Sequence, residues 1–480
     1  MPDSPFDLAA AARQEMIDHG FTPDFPPAVR QQLQSLACPP DPALRDLRTL
    51  LWSSIDNDDS RDLDQIEWAE RAPQGIRVLV GIADVDLCVG QSTPIDVYAA
   101  AEATTVYAGI RTFPMLPEEL STDRTSLAEG QDRAAVVVEM AVASDGSVSA
   151  TSIYPALVRN RAQLTYGTIG PWLEGSASPP PKVAAAPDLE AQLKMQDQAA
   201  GWLRDGRHRL GALSFDRVEA QPVIADGQVR DIVTRQHNRA AELIEDFMIA
   251  ANETIARTLA ESNVSSIRRV VRAPERWDRI VELVGRYGEQ LPPQPDAAAL
   301  NAFLTRRKQS DPLHYSDVSL AVLKLMGPGE YVLMRPGDAA PGHFGLAAQD
   351  YTHSTAPNRR FADLVTQRLI KSLAARAQSP YSDGELDAIA RTCTLQEDAA
   401  RKVERAMNKR LAAAALQRRI GNVFSAVVTG VTPKGVFVRA LHPPVEGRLV
   451  RGEHGLDVGD RLNVTLLRAD PRSGFIDFGR

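Results

Sequence analysis

The segment Ser54-Ile-Asp-Asn-Asp-Asp-Ser-Arg-Asp-Leu-Asp-Gln65 concentrates carboxylates in a short, poorly helical stretch. They belong to Asp56, Asp58, Asp59, Asp62 and Asp64. Like charges at this spacing raise one another's pKa, so a cation is needed to keep them all ionised. Oxygen donors without His or Cys favour Mg²⁺ or Mn²⁺ over Zn²⁺, and the EF-hand pattern is absent. The segment alone fits a solvated loop and a catalytic metal site equally well.

The composition indicates a globular protein of about two to four domains. Of the 480 residues, 44% are hydrophobic, and the formal net charge of −8 argues mildly against a nucleic-acid partner. The sequence has neither a signal-peptide pattern nor a membrane-length apolar run, so we expect a cytoplasmic protein that does not contact a membrane. Cys38, Cys88 and Cys393 are widely scattered, and we expect three ordinary buried thiols.

Patterning along the chain predicts an α+β protein with a short helical segment at its start. Two short helices are expected at 8–19 and 27–37, as a packing appendage or a possible helix-turn-helix. Apolar β-branched runs at 76–85 and 134–142 predict central strands, and 175–187 is a low-complexity surface insertion. Long helices are expected at 239–262, 362–377 and 383–419.

The last sixty residues change character and predict a five-stranded β-barrel of the OB type. The expected strands are 422–429, 435–440, 445–450, 461–467 and 474–478. Residues 421–480 contain eight Lys and Arg against six Asp and Glu, so this module is mildly basic. Such barrels often bind single-stranded nucleic acid, and Phe424, Phe437, Arg439 and His442 are candidates for a stacking face. A barrel used only for packing is the alternative.

A second charged motif is Tyr351-Thr-His-Ser-Thr-Ala-Pro-Asn-Arg-Arg-Phe-Ala-Asp363. It predicts a helix with Pro357 in its first turn, which puts Arg359 and Arg360 near free backbone N–H groups that favour an anion. By themselves these residues fit a solvated Arg pair better than a phosphate site. Together with the acidic segment they suggest phosphoryl-transfer chemistry, in which metals and an Arg act on one phosphate.

These motifs resemble the RNase II family of exoribonucleases, in particular its RNB catalytic domain. The resemblance covers almost the whole chain after Arg45, with several motifs in the family's order. They are Arg45-Asp-Leu-Arg, the acidic segment, Val80-Gly-Ile-Ala-Asp-Val85, Phe113-Pro-Met-Leu-Pro-Glu-Glu-Leu-Ser121, Ile244-Glu-Asp-Phe-Met-Ile-Ala-Ala-Asn252, His343-Phe-Gly-Leu-Ala347 and the Arg359 motif. The terminal barrel, with Val428-Thr-Gly-Val-Thr-Pro-Lys-Gly-Val-Phe-Val438, resembles the OB-fold RNA-binding domain that ends these enzymes. The expected domains are therefore a helical segment (1–44), an RNB domain (45–420) and the barrel (421–480).

The resemblance implies processive 3′-to-5′ hydrolysis of RNA to nucleoside 5′-monophosphates with two Mg²⁺ ions. It also implies a role for each matching residue. The implied catalytic residues are Asp62, Asp64, Arg359 and Glu404, the metal ligands are Asp56, Asp62 and Asp64, and the RNA-binding residues are Tyr107, Tyr166, Phe215 and Glu245. From the residues themselves, Gln65 is added as an oxygen ligand of the metal, and Arg360 and Phe437 are added as RNA-binding candidates. Arg359 would neutralise charge on the scissile phosphate, while Tyr107 and Phe215 would stack on the terminal bases. For each aromatic or Glu taken alone, core packing or surface charge is the commoner explanation.

Two departures from the family pattern have consequences. Gln65 stands where the family usually has a fourth Asp, and its uncharged oxygen should weaken one ion site. We therefore expect a higher metal requirement and a possible preference for Mn²⁺. The residues before Arg45 are too few for the cold-shock barrels of bacterial members, so we expect the N-terminal helices to leave a more open channel that admits structured RNA.

The main alternative is a catalytically impaired RNA-binding regulator in which Gln65 marks a lost activity. It is disfavoured because a protein without catalysis has no need to keep so many repelling carboxylates. A nuclease acting on DNA is weaker still, although the sequence does not reveal which residue reads the 2′-hydroxyl. We expect the partner to be single-stranded RNA and the protein to be a monomer.

Overall fold

A computed structural model describes residues 6–215, 219–225, 228–235 and 237–480, and it confirms the mixed α and β architecture. The α-helices are α1 (Leu8–Asp18), α2 (Pro27–Ser35), α3 (Pro94–Glu102), α4 (Tyr166–Leu173), α5 (Pro181–Ala184), α6 (Pro187–Arg209), α7 (Arg239–Glu261), α8 (Trp277–Gly285), α9 (Ala297–Ser310), α10 (Pro312–Leu325), α11 (Phe361–Ala374) and α12 (Asp383–Leu416). The β-strands are β1 (Arg45–Asp46), β2 (Trp52–Asp56), β3 (Gln65–Ala72), β4 (Gly75–Ala83), β5 (Val106–Tyr107), β6 (Thr112–Phe113), β7 (Asp132–Val142), β8 (Val148–Thr165), β9 (Glu219–Ala225), β10 (Gln228–Arg235), β11 (Ser266–Val271), β12 (Gly329–Met334), β13 (Val423–Thr432), β14 (Gly435–Ala440), β15 (Val445–Arg451), β16 (Arg461–Asp470) and β17 (Phe475–Gly479).

The central sheet has the strand order β1-β8-β2-β3-β4-β7. Because β8 also pairs with β7, five of its strands close into a ring, which leaves few unpaired edges. Strand β4 is buried along nearly its whole length, consistent with its continuous apolar sequence. The main hydrophobic core lies between this sheet and helices α6, α7 and α11. The sheet is therefore a rigid support for the loops at its ends.

The two N-terminal helices pack on different parts of the molecule. Asp7 caps α1 by accepting hydrogen bonds from two backbone N–H groups, and Met16 on α1 packs with Met407 on α12. Helix α2 lies against α3 instead. The connection between α1 and α2 is also fixed, because the N–H of Thr22 donates to Glu102 and the hydroxyl of Tyr98 donates to the carbonyl of Thr22. Both helices are thus part of the folded body.

The C-terminal strands form the expected closed barrel, in the order β13-β14-β15-β17-β16. Its core also includes Leu416 from the end of α12, so the barrel is attached to this helix by packing. The expectation that Phe424 belongs to an exposed stacking face is wrong: its ring is 8% exposed and packs edge-on against Phe478. Arg439 pairs with Asp317, outside the barrel. Of the candidate stacking aromatics, Phe437 lines a cavity described below.

Helix α11 starts four residues later than the position of Pro357, so the expectation that this proline lies in the first turn is wrong. The residues that precede α11 are held by contacts with parts of the chain that are distant in sequence. Arg360 is the N-cap residue of α11, and its backbone is extended. Arg359 therefore belongs to a connecting segment, not to a helical turn.

The cysteines also differ from expectation. Cys38 and Cys88 form a disulfide, with their Cα atoms 5.1 Å apart, whereas Cys393 is a buried thiol. The bond joins the segment after α2 to the turn after β4, positions that are distant in sequence and adjacent only in the fold. Within the described ranges, no helix is both long enough and apolar enough to cross a bilayer.

Candidate active site

Three strand ends meet where the acidic segment begins and ends. Asp56 is the last residue of β2, and Gln65 is the first residue of β3. Asp56 is paired in register with Thr165, the last residue of β8, so Tyr166 follows directly beside it at the start of α4. The N–H of Ala83 donates to the carbonyl of Asp64 at 2.9 Å and joins β4 to the same edge. Strand pairing therefore positions this group of predicted residues.

The acidic segment is fixed by hydrogen bonds that distinguish it from a solvated loop. The Ser126 hydroxyl donates to the carbonyl of Arg61 at 2.7 Å, and the N–H of Leu127 donates to the carbonyl of Leu63 at 2.9 Å. The Asp56 carboxylate accepts from the backbone of Asn57 and the hydroxyl of Ser60. Such local and long-range bonds hold the segment in one conformation.

Asp64 and Arg359 form the central ion pair of the site. Asp64 is 1% exposed, and its Oδ2 atom lies 3.2 Å from Nε of Arg359. Its Oδ1 atom accepts the backbone N–H of Asn358 at 3.1 Å. Burial raises the pKa of Asp64 to about 7, against the opposing effect of Arg359. Burial also raises the pKa of Asp62, with Arg359 opposing and Asp56 adding to the rise.

Backbone hydrogen bonds to the residues directly before β5 hold the segment that contains Arg359. The N–H of Thr105 donates to the carbonyl of Arg359 at 2.9 Å, and the N–H of Phe361 donates to the carbonyl of Ala103 at 2.9 Å. The Arg359 side chain is 45% exposed, so one part of it faces Asp64 while the rest remains accessible. This geometry leaves the guanidinium able to meet an anion that enters the site.

Arg360 makes a different set of contacts from Arg359. Its Nε and Nη2 atoms donate to the two oxygens of Asp363 at 2.9 and 2.7 Å. Asp363 is fully buried and also accepts the N–H of Ala356 at 2.8 Å. This bidentate pair braces the start of α11, and an RNA contact by Arg360 stays a prediction.

A cavity of about 1050 Å³ opens beside the acidic segment. Its lining includes six of the predicted site residues: Asp56, Gln65, Tyr166, Phe215, Glu245 and Arg359. Glu245 lies on α7 with His237 3.3 Å away, and Phe215 packs beside the cluster formed by α8, α9 and α10. The fold thus brings residues from five separate parts of the sequence to one cavity.

Tyr107 and Glu404 lie next to this cavity and contact each other. Tyr107 ends β5 and its side chain is 41% exposed. Its backbone N–H donates to Oε1 of Glu404 on α12 at 3.2 Å. Burial raises the pKa of Tyr107 to about 12, and the positive charge of nearby Arg359 opposes this rise. Burial also raises the pKa of Glu404. Tyr107 therefore connects Arg359 to α12.

A second cavity, of about 1130 Å³, lies between α12 and the barrel. Its wall includes Phe437 and Glu404, and Arg401 lines both cavities. Six basic residues face it: Arg401, Arg405, Lys409, Lys434, Arg448 and Arg468. Aromatic and basic side chains in one groove suit the backbone and bases of a single strand.

The donor set of the acidic segment fits a hard divalent cation in its chemistry. It consists only of oxygens, and among the described residues the buried Oδ2 atom of Asp64 accepts no hydrogen bond of good geometry, although it is ion-paired with Arg359. The raised pKa values of Asp62 and Asp64 reflect carboxylates that need compensating positive charge. In the described ranges no group of three His, Cys, Asp or Glu side chains is already arranged as metal ligands.

Two groups near the site were not assigned a role from the sequence. Glu67 on β3 is fully buried, and neither of its carboxylate oxygens has a hydrogen-bond partner among the described residues. Burial raises the pKa of Glu67 well above the usual value, and the charge of Asp56 adds to this rise. The position of Glu67 between the apolar residues Ile66 and Trp68 is the sequence signal that could have identified it as a buried carboxylate. His343 lines the first cavity, and although its motif was recognised, its side chain had no assigned function.

Family models match most of the chain. The RNB domain matches residues 44–376, and the RNase II-type exonuclease C-terminal S1 domain matches residues 422–480. The first match covers well over half of the sequence.

Similar proteins carry the name Ribonuclease R. That of Thermotoga maritima is 30% identical over 473 residues, covering 90% of this chain and 64% of the relative. That of Escherichia coli K12 is 32% identical over 443 residues, covering 86% of this chain and 52% of the relative. The chain thus spans only half to two thirds of the length of these relatives.

The fold is also that of a solved structure. The apo form of Mycoplasma genitalium RNase R superposes with a TM-score of 0.87 at 23% identity, covering 98% of this chain and 78% of that one. The resemblance seen in the sequence is confirmed by these matches. The chain belongs to the RNase II family of RNB-domain proteins and carries the family's C-terminal S1 domain.

Proposed function

We propose that this protein is a 3′-to-5′ exoribonuclease that hydrolyses single-stranded RNA processively to nucleoside 5′-monophosphates. The observation that carries the proposal is the pairing of Asp64 with Arg359 at the cavity that also contains Tyr166, Phe215 and Glu245. Membership of the family and the similarity to proteins named Ribonuclease R support it. The structure of Mycoplasma genitalium RNase R in complex with ribose methylated single-stranded RNA supports RNA as the ligand class.

In this mechanism Asp56, Asp62, Asp64 and the amide oxygen of Gln65 hold the metal. RNB proteins generally depend on a divalent ion, and we propose Mg²⁺ with Mn²⁺ as a substitute. When bound, such ions supply Lewis acidity toward the phosphate oxygens and the attacking water. The buried position of Asp64 keeps this chemistry in a site of low polarity, where charge interactions are strong.

The remaining residues bind and orient the RNA. Arg359 donates to the scissile phosphate and stabilises the negative charge that grows there. Tyr107 and Phe215 stack on bases near the 3′ end, a contact that every base can make. Tyr166 and Glu245 contact the last nucleotides.

Two further residues of the predicted set act from α12 and the barrel. Glu404 holds the Tyr107 backbone in place through its hydrogen bond. Phe437 and the basic groove guide the strand from the barrel toward the site. Arg360 contributes through its brace on Asp363 as well as through any contact with RNA. We also propose that the functional domains follow the boundaries expected from the sequence and that the protein acts as a cytoplasmic monomer.

The test uses 5′-labelled single-stranded RNA with Mg²⁺, with Mn²⁺ and with EDTA. The protein should shorten the RNA from its 3′ end only when a divalent ion is present, and Asp64→Asn should abolish this shortening. Asp188→Asn, the same change at an exposed position of α6, is the matched control. Tight RNA binding without shortening in either ion would overturn the proposal and support the regulator instead.

A further inference from the structure

The turn that contains His343 is attached to the segment that carries Phe215. The backbone N–H of Leu213 donates to the carbonyl of Gly345 at 2.9 Å. All four of these residues line the first cavity. The imidazole of His343 therefore shares a wall of the cavity with the ring proposed to stack on a terminal base.

The protein fixes the orientation of this imidazole. The N–H of Leu346 donates to Nδ1 of His343 at 3.1 Å, and the ring packs edge-on against Tyr351 with centroids 5.3 Å apart. A neutral imidazole that accepts a hydrogen bond at Nδ1 carries its proton on Nε2. Burial lowers the pKa of His343 to about 4, so the ring is neutral at pH 7.

The Nε2 atom is a donor that the protein leaves available. Among the residues that the structure describes, none accepts a hydrogen bond from it, and the hydrogen bond of the ring is made at Nδ1. The Nε2 atom is not one of the buried polar atoms that lack a hydrogen-bond partner, so it remains accessible to solvent. A fixed neutral donor at the wall of a cavity suits an oxygen acceptor on a ligand.

We infer that the Nε2–H group of His343 donates a hydrogen bond to a backbone oxygen of the RNA, close to its 3′ end. The acceptor is a ribose hydroxyl or a phosphate oxygen, both of which present lone pairs. The inference rests on the proposed function, because it requires RNA in this cavity. It adds a substrate-contact residue to the set derived from the sequence.

Two substitutions separate an RNA contact from a structural role. In His343→Asn the side-chain oxygen can accept the N–H of Leu346, but the donor at the Nε2 position is lost. In His343→Gln the longer side chain can place an N–H near the Nε2 position, while the bond from Leu346 is lost. Both variants are made in the Asp64→Asn background, and binding of a labelled single-stranded RNA is measured in Mg²⁺ by fluorescence anisotropy.

We expect His343→Asn to weaken RNA binding about fivefold to tenfold, as for loss of one hydrogen bond, and His343→Gln to keep most of the affinity. The inference is overturned if His343→Asn binds as tightly as its parent, or if His343→Gln is the weaker of the two. Melting temperatures confirm that both variants are folded. If neither the Asp64→Asn parent nor the wild-type protein in EDTA binds RNA, the proposed function fails, and this result differs from every outcome for His343.

A second RNA identifies the acceptor. It has 2′-deoxy sugars in its last three nucleotides and is otherwise the same. If His343→Asn weakens binding of the all-ribose strand only, the acceptor is a 2′-hydroxyl. An equal loss with both strands identifies a phosphate oxygen or the terminal 3′-hydroxyl.

Discussion

Arg359 reaches Asp64 with its Nε atom at 3.2 Å, while part of its guanidinium remains exposed toward the cavity. In the proposed mechanism this side chain therefore has two roles, which are to compensate a buried carboxylate and to contact the phosphate. Lysine keeps the charge but lacks the planar fork that allows both contacts. The neighbouring Arg360 makes its bidentate contact with Asp363 instead and offers a matched control.

We predict that Arg359→Lys lowers the single-turnover rate about a hundredfold and changes RNA affinity only a few fold, because the lost contact matters most in the transition state. Arg360→Lys should mainly lower the melting temperature, since it breaks a buried bidentate pair. Rapid-quench experiments measure the single-turnover rates of both variants, and thermal melts measure their stabilities. A large rate loss in Arg360→Lys with unchanged stability would contradict this division of roles.

Tyr107→Ala should weaken binding of single-stranded RNA about tenfold or more, because stacking on a base contributes about 1–3 kcal/mol. Tyr107→Phe keeps the ring and loses only the hydroxyl near Arg359, so its affinity should stay within about twofold to threefold of the parent. Anisotropy titrations in the Asp64→Asn background give both values. Equal losses in the two variants would show that the hydroxyl, and not the ring, makes the contact.

Gln65→Asp should lower the Mg²⁺ concentration needed for half-maximal activity several-fold, since it restores a charged oxygen donor at the acidic segment. Without metal the same change buries a further carboxylate at a position that is 4% exposed, so the melting temperature in EDTA should fall. Gln65→Asn is the control, because it shortens the side chain without adding charge. An unchanged Mg²⁺ midpoint in Gln65→Asp would contradict a ligand role for residue 65.

Glu102 gives a prediction for the dependence of stability on pH. Burial raises its pKa to about 7, so the folded state binds a proton that the unfolded state releases near pH 4.5. Stability of the wild type should therefore fall as pH rises from about 4.5 to 7. Glu102→Gln cannot titrate and can still accept the N–H of Thr22, so it should gain stability relative to the wild type across this window. Denaturant unfolding at pH 5 and pH 8 measures the difference, and a constant difference would refute the prediction.

The disulfide between Cys38 and Cys88 closes a loop with a sequence separation of 50 residues. Loop-closure entropy gives a stabilisation of roughly 4 kcal/mol as an upper figure. Reduction should lower the melting temperature of the wild type, and Cys38→Ala should melt at the reduced temperature with or without reductant. Mass spectrometry after alkylation, without prior reduction, should find Cys393 as the only modified cysteine once the protein is unfolded.

The regular elements were predictable wherever local patterning decides them. The strands of the barrel and the ends of α7 and α12 lie within a few residues of their expected positions, because periodicity and capping signals act over short distances. Periodicity also located α11, expected at 362–377 and found at Phe361–Ala374, but it did not exclude Pro357 from the first turn. The residues before α11 are held by Asp64 and Thr105, which are remote in sequence.

The sequence was sufficient to nominate candidate site residues, but it did not reveal how they are arranged. The family resemblance brought together Asp56, Gln65 and Arg359, which now line one cavity. The burial of Phe424 and the bond between Cys38 and Cys88 depend on which faces meet after folding. No local pattern contains that information.

Helix α12 has one further consequence for the proposed enzyme. Glu404, which supports Tyr107, and Leu416, which enters the barrel core, belong to the same uninterrupted helix. Twelve residues of α-helix separate them by about 18 Å. The helix therefore fixes the distance between the barrel and the proposed active site. This distance sets the shortest RNA that can occupy both at once.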